Sequence, residues 1–487
     1  MAAISLSSSS TNPKKATNYG VYSPCARPFR LALRSSLFGS TFPGTLSAEK
    51  PRVSGPRPLS STRLNAVSAS HHSFDVVVVG AGIIGLSIAR QLLLESDLSV
   101  AVIDRAVPCS GATGAGQGYI WMSHKTPGSD IWELAVRSQK LWETLANSIE
   151  DQGLDPLDVL GWMRTGSLVV GGTREDTVKL KERVKQLSEA GVRAEFLSSR
   201  ELRQVEPALL VQEERGAALV PGDSQLDAQR TVAFIEKGNR KFQSQGRYAE
   251  FYHDPVVSLL RTGDKGEVKA VQTSKNTLYS KKAVVVATGC WSGSLMHNLF
   301  PESDISVDIP VKPRKGHLLV LENFDSVQVN HGLMEFGYMN HQSLLSGPTS
   351  AVTDEQKLSV SMTATMDATG NLVLGSSRQF VGFNTEVDET IIDCIWKRAG
   401  EFFPKLREIS LSEIRECRKV RVGLRPYMPD GRPVIGQVPC SNVFVAAGHE
   451  GSGLSLALGT AEMVADMVLG NPLKVDSAPF AVKGRSC

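Results

Sequence analysis

VVVVGAGIIGLSIARQLL, Val76 to Leu93, begins as an uninterrupted β-branched run, turns on glycines and continues with an apolar helical period. Phe74 to Val79 has the composition of a parallel strand buried on both faces. Gly80 permits the tight turn, Gly82 lets backbone approach a pyrophosphate, and Gly85 lets the following helix pack closely on the strand. The start of that helix, at Ile83 and Ile84, would offer unpaired N–H groups and a positive dipole end to phosphates. A second buried strand, SVAVID, ends at Asp104, 24 residues past Gly80, where an acid can accept hydrogen bonds from a ribose; Arg105 follows it. Strand, glycines, helix, strand and terminal acid in this order indicate a dinucleotide, without choosing between NAD and FAD.

Three later segments bear on that choice. LYSKKAVVVATGCWSG, Leu278 to Gly293, is a further β-branched strand ending in Ala287, Thr288 and Gly289, small residues suited to close approach by a ligand. DPVVSLL followed by EVKAVQT suggests a hairpin that places Val256 beside an adenine. NVFVAAGHEGSGLSLALGTAEMVADMVLG reads as a buried strand, a glycine turn and a long helix stopped at Gly470, Asn471 and Pro472. Gly448, Gly451, Ser452 and Gly453 would set backbone N–H groups and a positive helix end against a ligand, which suits the negative charge of a reduced flavin. A nicotinamide would gain nothing comparable.

The chain has 487 residues, 41% hydrophobic and 21% charged, an ordinary globular composition and enough for two joined domains or one large domain with insertions. Residues 1–70 carry nine Lys or Arg against one acid, so removing this +8 from the formal +3 leaves −5 for the rest. An acidic body gives no basic face for nucleic acid. The leader is Ser-rich, acid-poor and without a secretory apolar core, so it reads as a transit peptide cut between Arg63 and His72. The expected destination is the chloroplast, with the mitochondrion as alternative; a disordered arm without an address is the other reading. No stretch approaches the ~20 apolar residues of a membrane span. The seven cysteines and nine histidines are scattered without ligand spacing, so no metal site and no disulfide framework is expected.

The ordered set VVVVGAGIIG, ATGCWSG, GLRPYMPDGRPVIG and AAGHEGSG resembles the D-amino-acid oxidase and glycine oxidase superfamily of FAD-dependent oxidoreductases, across Phe74 to Gly470. The resemblance implies an α/β (α+β overall) fold, with a Rossmann-type FAD-binding domain on a central parallel sheet and a substrate domain with a mixed or antiparallel sheet. The expected division is a leader at 1–70, FAD-binding parts at 74–170, 226–300 and 416–475, a helical substrate segment at 171–225, a substrate domain at 301–415 and a tail at 476–487. The resemblance also implies non-covalent FAD, Ser110, Gly111, Ala112 and Thr113 against pyrophosphate and flavin, and Arg425 of GLRP holding a substrate carboxylate. Arg378 and His317 are further catalytic candidates, with Lys315, Tyr338 and Tyr427 behind them. Glycine oxidases carry an arginine inside the GHxxxG turn where this chain has Gly451, and GHEGSG looks closer to flavin subunits of bacterial proline, opine and glycine dehydrogenases.

The implied activity is oxidation of an amino acid or secondary amine by hydride transfer to flavin N5, with imine hydrolysis and oxygen, a quinone or a carrier as electron acceptor. A 2-hydroxy-acid oxidase of the same fold and an FAD-holding assembly factor without turnover are the alternatives. Between the motifs, LKERVKQLSEAG has helical periodicity, and Ser198 with Glu201 forms a capping box. Trp121, Trp132 and Trp142 are expected in the core. Asn323 to Thr353 is irregular and suggests an excursion near the active-site mouth.

Overall fold

The computed structural model describes residues 70–262, 267–300, 309–339, 358–439 and 441–482. The expected leader falls outside them except for Ser70, as do residues 340–353 of the expected excursion.

The first sheet is built around the strand Ser70–Val79, which lies between Asn276–Val286 and Val100–Ile103, all parallel. Tyr248–Phe251 extends it on one side, and Val443–Ala447 with antiparallel Val434–Gln437 on the other. The β-branched run is buried on both faces, as its composition requires. Val76 and Val78 pack in one hydrophobic cluster, while Val77 and Val79 pack in another with Ala101, Ile103, Val284 and Val286. The expected hairpin pairs Val256–Arg261 with Val268–Thr273 and joins the central sheet through the latter.

Helix Ile83–Glu95 follows the glycine turn and packs against helix Gly453–Leu469, which also contacts helix Trp132–Glu150. This corrects one expectation. The segment Glu450–Leu469 is long and apolar enough to cross a bilayer, with mean hydropathy 1.3, but 78% of that stretch is buried inside the protein. It is apolar all round because helices and sheet cover it on several sides. Trp142 fixes one of these contacts by donating Nε1 to the Leu454 carbonyl at 3.0 Å, and Trp121 and Trp132 are buried as well.

The second sheet has eight strands in the order Arg418–Tyr427, Lys312–Leu321, Leu372–Arg378, Ser359–Met366, Gly332–Glu335, Ser167–Val170, Ala217–Val220 and Glu195–Leu197. Only the Gly332–Glu335 and Ser167–Val170 pair is parallel. Helix Glu389–Phe402 covers one face, packing Ile391, Ile392 and Ile395 on Leu319, Leu321, Leu372 and Leu374. The opposite face looks toward the first sheet and forms one wall of the cavity described below.

The sheet membership differs from the expected grouping. Segment 171–225 contributes two strands to the second sheet besides helices Arg174–Glu189 and Ser199–Val205, whose capping boxes form at Thr173–Asp176 and at Ser198–Glu201. Ser167–Val170 and Arg418–Tyr427, grouped with FAD-binding parts, belong to the second sheet. RKVRVGLRPY is that sheet's edge strand, and charged side chains are the usual protection of an edge.

Candidate active site

A single cavity of about 820 Å³ runs from the glycine turn of the first sheet to the inner face of the second, a size within the roughly 300–1,000 Å³ common to small-molecule sites. At the first end, strand and helix approach so closely that side chains are excluded. A Cβ at Gly80 would lie 2.3 Å from the Ala287 carbonyl oxygen, and one at Gly85 only 1.9 Å from the Gly80 oxygen. Gly80 also has φ +115, which favours glycine. At Gly82 a Cβ would meet only Thr113 Oγ1, at 3.3 Å, so its backbone stands open to the cavity.

Asp104 ends its strand by accepting from Ala81 N and Ala106 N, each at 2.8 Å. Those bonds fix the carboxylate at the cavity wall and leave it lone pairs for ribose hydroxyls. Thr113 Oγ1 accepts from Ile83 N at 3.2 Å, which ties the loop of Ser110, Gly111 and Ala112 to the helix start. Arg105 lies 3.9 Å over the Trp291 ring, and Trp291 stacks with Phe383 at 5.8 Å, so the mouth has an aromatic and cationic wall.

Of the sequence-predicted dinucleotide contacts, Gly80, Gly82, Ile83, Ile84, Asp104 and Arg105 line the cavity, as do Ser110, Gly111, Ala112, Thr113, Val256, Thr288, Gly289, Gly451 and Gly453. Gly85, Gly448 and Ser452 stand one step back. Gly85 lets the helix seat. Gly448, at φ +76, packs on Met428, and Ser452 Oγ takes a hydrogen bond from the buried Lys125 ammonium. Burial moves the Lys125 amine down to about 8, against the pull of Glu450 and Asp223. Cys109 and Cys290 line the cavity with thiols that burial pushes up to about 12, so neither is the thiolate that covalent chemistry needs.

At the second end, cross-strand register sets the chemistry. Arg314 pairs with Arg425, and Gly316 with Gly423, along two antiparallel strands. Residues facing each other in register share a face, so two arginines lie side by side with two glycines next to them. The Arg425 guanidinium lies across Gly316, where a Cβ would come within 2.1 Å of Nη1, and it donates to the Ser377 carbonyl at 3.0 Å. Among the described residues the guanidinium makes no other hydrogen bond, and Arg425 lines the cavity.

Arg314 is ion-paired with Glu450, whose backbone sits at φ +47 in the turn before the C-terminal helix. Burial pushes the Glu450 carboxyl up, but Arg314, Arg425 and Arg378 outweigh it and hold the group down to about 2. Arg378 is buried and stacks 3.9 Å over the Tyr338 ring, which lines the cavity. Tyr119, stacked on Trp121 at 3.7 Å, and Thr363 complete this wall.

His317 is not at the site, which corrects its place among the catalytic candidates. Its neighbours Gly316 and Leu318 line the cavity, and strand alternation turns His317 to the opposite face. There Nδ1 meets Ser377 Oγ at 3.0 Å and Nε2 accepts from Asp388 N at 3.3 Å. Lys315, of the same parity, donates to Asn384 Oδ1 at 2.8 Å. Tyr427 lies beneath Arg314, 4.9 Å from its guanidinium carbon, and does not line the cavity. Glu450, Arg314, Tyr119 and Thr363 escaped sequence reasoning. Only Glu450 carried a signal, as the charged residue inside a glycine turn.

Comparison with known proteins accords with this geometry. The family model described as FAD dependent oxidoreductase (DAO) matches residues 75–467. The glycine oxidase of Geobacillus kaustophilus is 25% identical over 414 residues, 84% of this chain and 97% of that protein. The glycine oxidase of Bacillus licheniformis is 27% identical over 411 residues, 83% of this chain and 95% of the relative. Among solved structures, L-proline dehydrogenase from P. horikoshii superposes with a TM-score of 0.68 at 19% identity, over 85% of this chain and 97% of the other, a likeness of fold. The closely seated glycine turn, the acid at the end of the second strand and the cavity joining both sheets fit FAD, and the chain belongs to the DAO family of FAD-dependent oxidoreductases.

Proposed function

We propose that this protein oxidises an amino acid or a secondary amine, binding the substrate carboxylate on Arg425 at the second-sheet end of the cavity. The observation that carries this reading is the Arg425 guanidinium, laid across Gly316 with unused N–H groups facing the cavity that begins at the dinucleotide cradle. A planar fork of donors matches a carboxylate bidentately. The Ser377 carbonyl and Gly316 fix the fork, so the substrate is oriented by a rigid group. Bound FAD supplies the acceptor for the hydride that leaves the substrate carbon, and the resulting imine is hydrolysed in water.

The chain's own groups around the cavity make a poor general base near neutrality. Glu450 is held down to about 2, burial moves His449 down to about 3, and burial raises the Tyr119 phenol. The substrate amine therefore enters as its free base, and kcat/KM rises with pH up to the amine's own pKa. The leader over 1–70 supports a chloroplast address for this chemistry.

Anaerobic bleaching of the flavin by a panel of amino acids, secondary amines and 2-hydroxy acids tests the proposal. Bleaching by amines alone is expected. Bleaching by 2-hydroxy acids alone transfers the reading to them, and a flavin that no member reduces leaves an FAD-holding assembly role. Peroxide release under air distinguishes oxygen from a quinone or carrier as acceptor.

A further inference from the structure

Three guanidinium groups surround the Glu450 carboxylate at the second-sheet end of the cavity, Arg425 in its lining and Arg314 and Arg378 behind it, and their charges do not cancel. Arg314 is ion-paired with Glu450. Arg425 is accounted for by the substrate carboxylate assigned above. Arg378 remains. It is 4% exposed, and among the described residues neither Nη1 nor Nη2 has a hydrogen-bond partner. Lys125 stands behind the Glu450 turn on Ser452 and has Asp223 as a second acid, so it does not enter this balance.

An arginine cannot shed its proton, and burying its donors without acceptors is costly. The Arg378 guanidinium lies against the face of Tyr338, at 3.9 Å. A ring face attracts the cation but accepts none of its in-plane N–H groups. Arg378 does not itself line the cavity and its Nη atoms are shielded, so it stands directly behind the wall, and its position in the strand gives the side. Ser376 lines the cavity and the Ser377 hydroxyl turns away to His317, so alternation brings Arg378 back to the side of Ser376, under Tyr338 of the cavity wall.

We propose that the cavity takes an amino acid or secondary amine bearing two carboxylates, one held by Arg425 beside the reacting carbon and the other reaching Arg378 along Tyr338. This specificity rests on the amine-oxidising reading above. Two substrate carboxylates with Glu450 match the three guanidiniums, whereas a monocarboxylic substrate leaves one cation unmatched in a site from which the ligand expels water. Tyr338 positions the Arg378 fork by stacking on it, so a second carboxylate finds its partner already oriented.

The test uses the purified FAD-bound protein and matched unreactive probes, with perturbation of the flavin spectrum as the binding signal. Succinate is expected to bind at least about tenfold tighter than propionate, since a second buried charge-assisted contact is worth that much. Arg378→Met is expected to bring this ratio to about one, and Arg378→Lys to keep part of it through the charge without the fork. A wild-type ratio near one overturns the inference, as does an undiminished ratio in an FAD-retaining Arg378→Met protein. If Arg378→Met loses FAD, the wild-type ratio and Arg378→Lys decide. In parallel, aspartate and iminodiacetate are compared with glycine and sarcosine as reductants of the flavin. Reduction by the monocarboxylic pair without any dicarboxylate preference sinks this inference alone, while failure of all four together with the wider amine panel sinks the amine-oxidising reading itself.

Discussion

The two ends of the cavity are made of different material. The cradle at Gly80, Gly82 and Gly85 is backbone, and its selectivity comes from Cβ atoms that are missing. The far end depends on long side chains, Arg425 and Glu450 in the lining with Arg314 and Arg378 behind them, delivered by three strands and a turn that are remote in sequence. One end can fail only by steric obstruction, the other by loss or displacement of charge. The two kinds of failure are separable by experiment.

The largest effect is expected from Gly85→Val. Even a Cβ there lies 1.9 Å from a backbone oxygen that cannot move without the whole strand, so the helix is driven off its seat. We expect loss of FAD and a stability cost of at least about 3 kcal/mol, beyond ordinary overpacking. Flavin content per protein and thermal unfolding measure both. Gly82→Ala, whose Cβ meets only a side-chain hydroxyl at 3.3 Å, should fold and bind FAD more weakly. Equal damage from the two substitutions would break the account of the cradle as a seat with an open window.

Arg425→Leu comes next. It should keep its FAD while kcat/KM for a carboxylate-bearing amine falls about 100-fold, the equivalent of roughly 3 kcal/mol for a charge-assisted bidentate contact. Most of the change should fall on KM. A variant that loses its flavin would show that the ends are not independent. Gly316→Ala tests the same group without touching it. The new methyl would sit 2.1 Å from Nη1, the movable end of a long side chain, so the fold adjusts and the guanidinium is displaced. Roughly a tenfold rise in KM is expected, consistent with about 1.4 kcal/mol of misplaced contact. An unchanged KM would mean that Arg425 does not act from its place across Gly316.

The same contrast explains what was legible in the sequence. The cradle is contiguous, and its glycine spacing is a steric requirement, so VVVVGAGIIG and the acid at Asp104 could be read directly. The far end depends on strand parity and register. In KPRKGHLLVL the strand is buried on both faces from Arg314 onward, so the residues do not reveal which parity faces the ligand. Arg314 and His317 have opposite parity, and the fold put the first on the cavity side, paired with Glu450 of the lining, and the second on the far face. Tyr119 and Thr363 had no signal at all. Their place follows from packing between segments more than 200 residues apart, as the Thr363 Oγ1 to Gln117 Oε1 bond at 3.0 Å illustrates.

The smallest effect on catalysis concerns His317. Asp388 N donates to Nε2, so the ring proton sits on Nδ1 toward Ser377 Oγ, and a second proton would have to displace the Asp388 contact. Burial first, then Lys315, moves the His317 imidazole down to about 4. The folded protein holds it neutral, whereas the unfolded chain takes up a proton near its ordinary value of about 6.5. The unfolded state therefore binds more protons below that pH, and stability drains away as pH falls from about 6.5 toward 4, by no more than about 3 kcal/mol from this group. His317→Gln should flatten that part of the stability-versus-pH curve, measured by denaturant unfolding. The pH profile of kcat/KM should keep its shape, because the ring lies on the far side of the sheet from the cavity. A kinetic profile that moved with the substitution would return His317 to the chemistry and undo the division between a backbone cradle and a side-chain clamp on a single face.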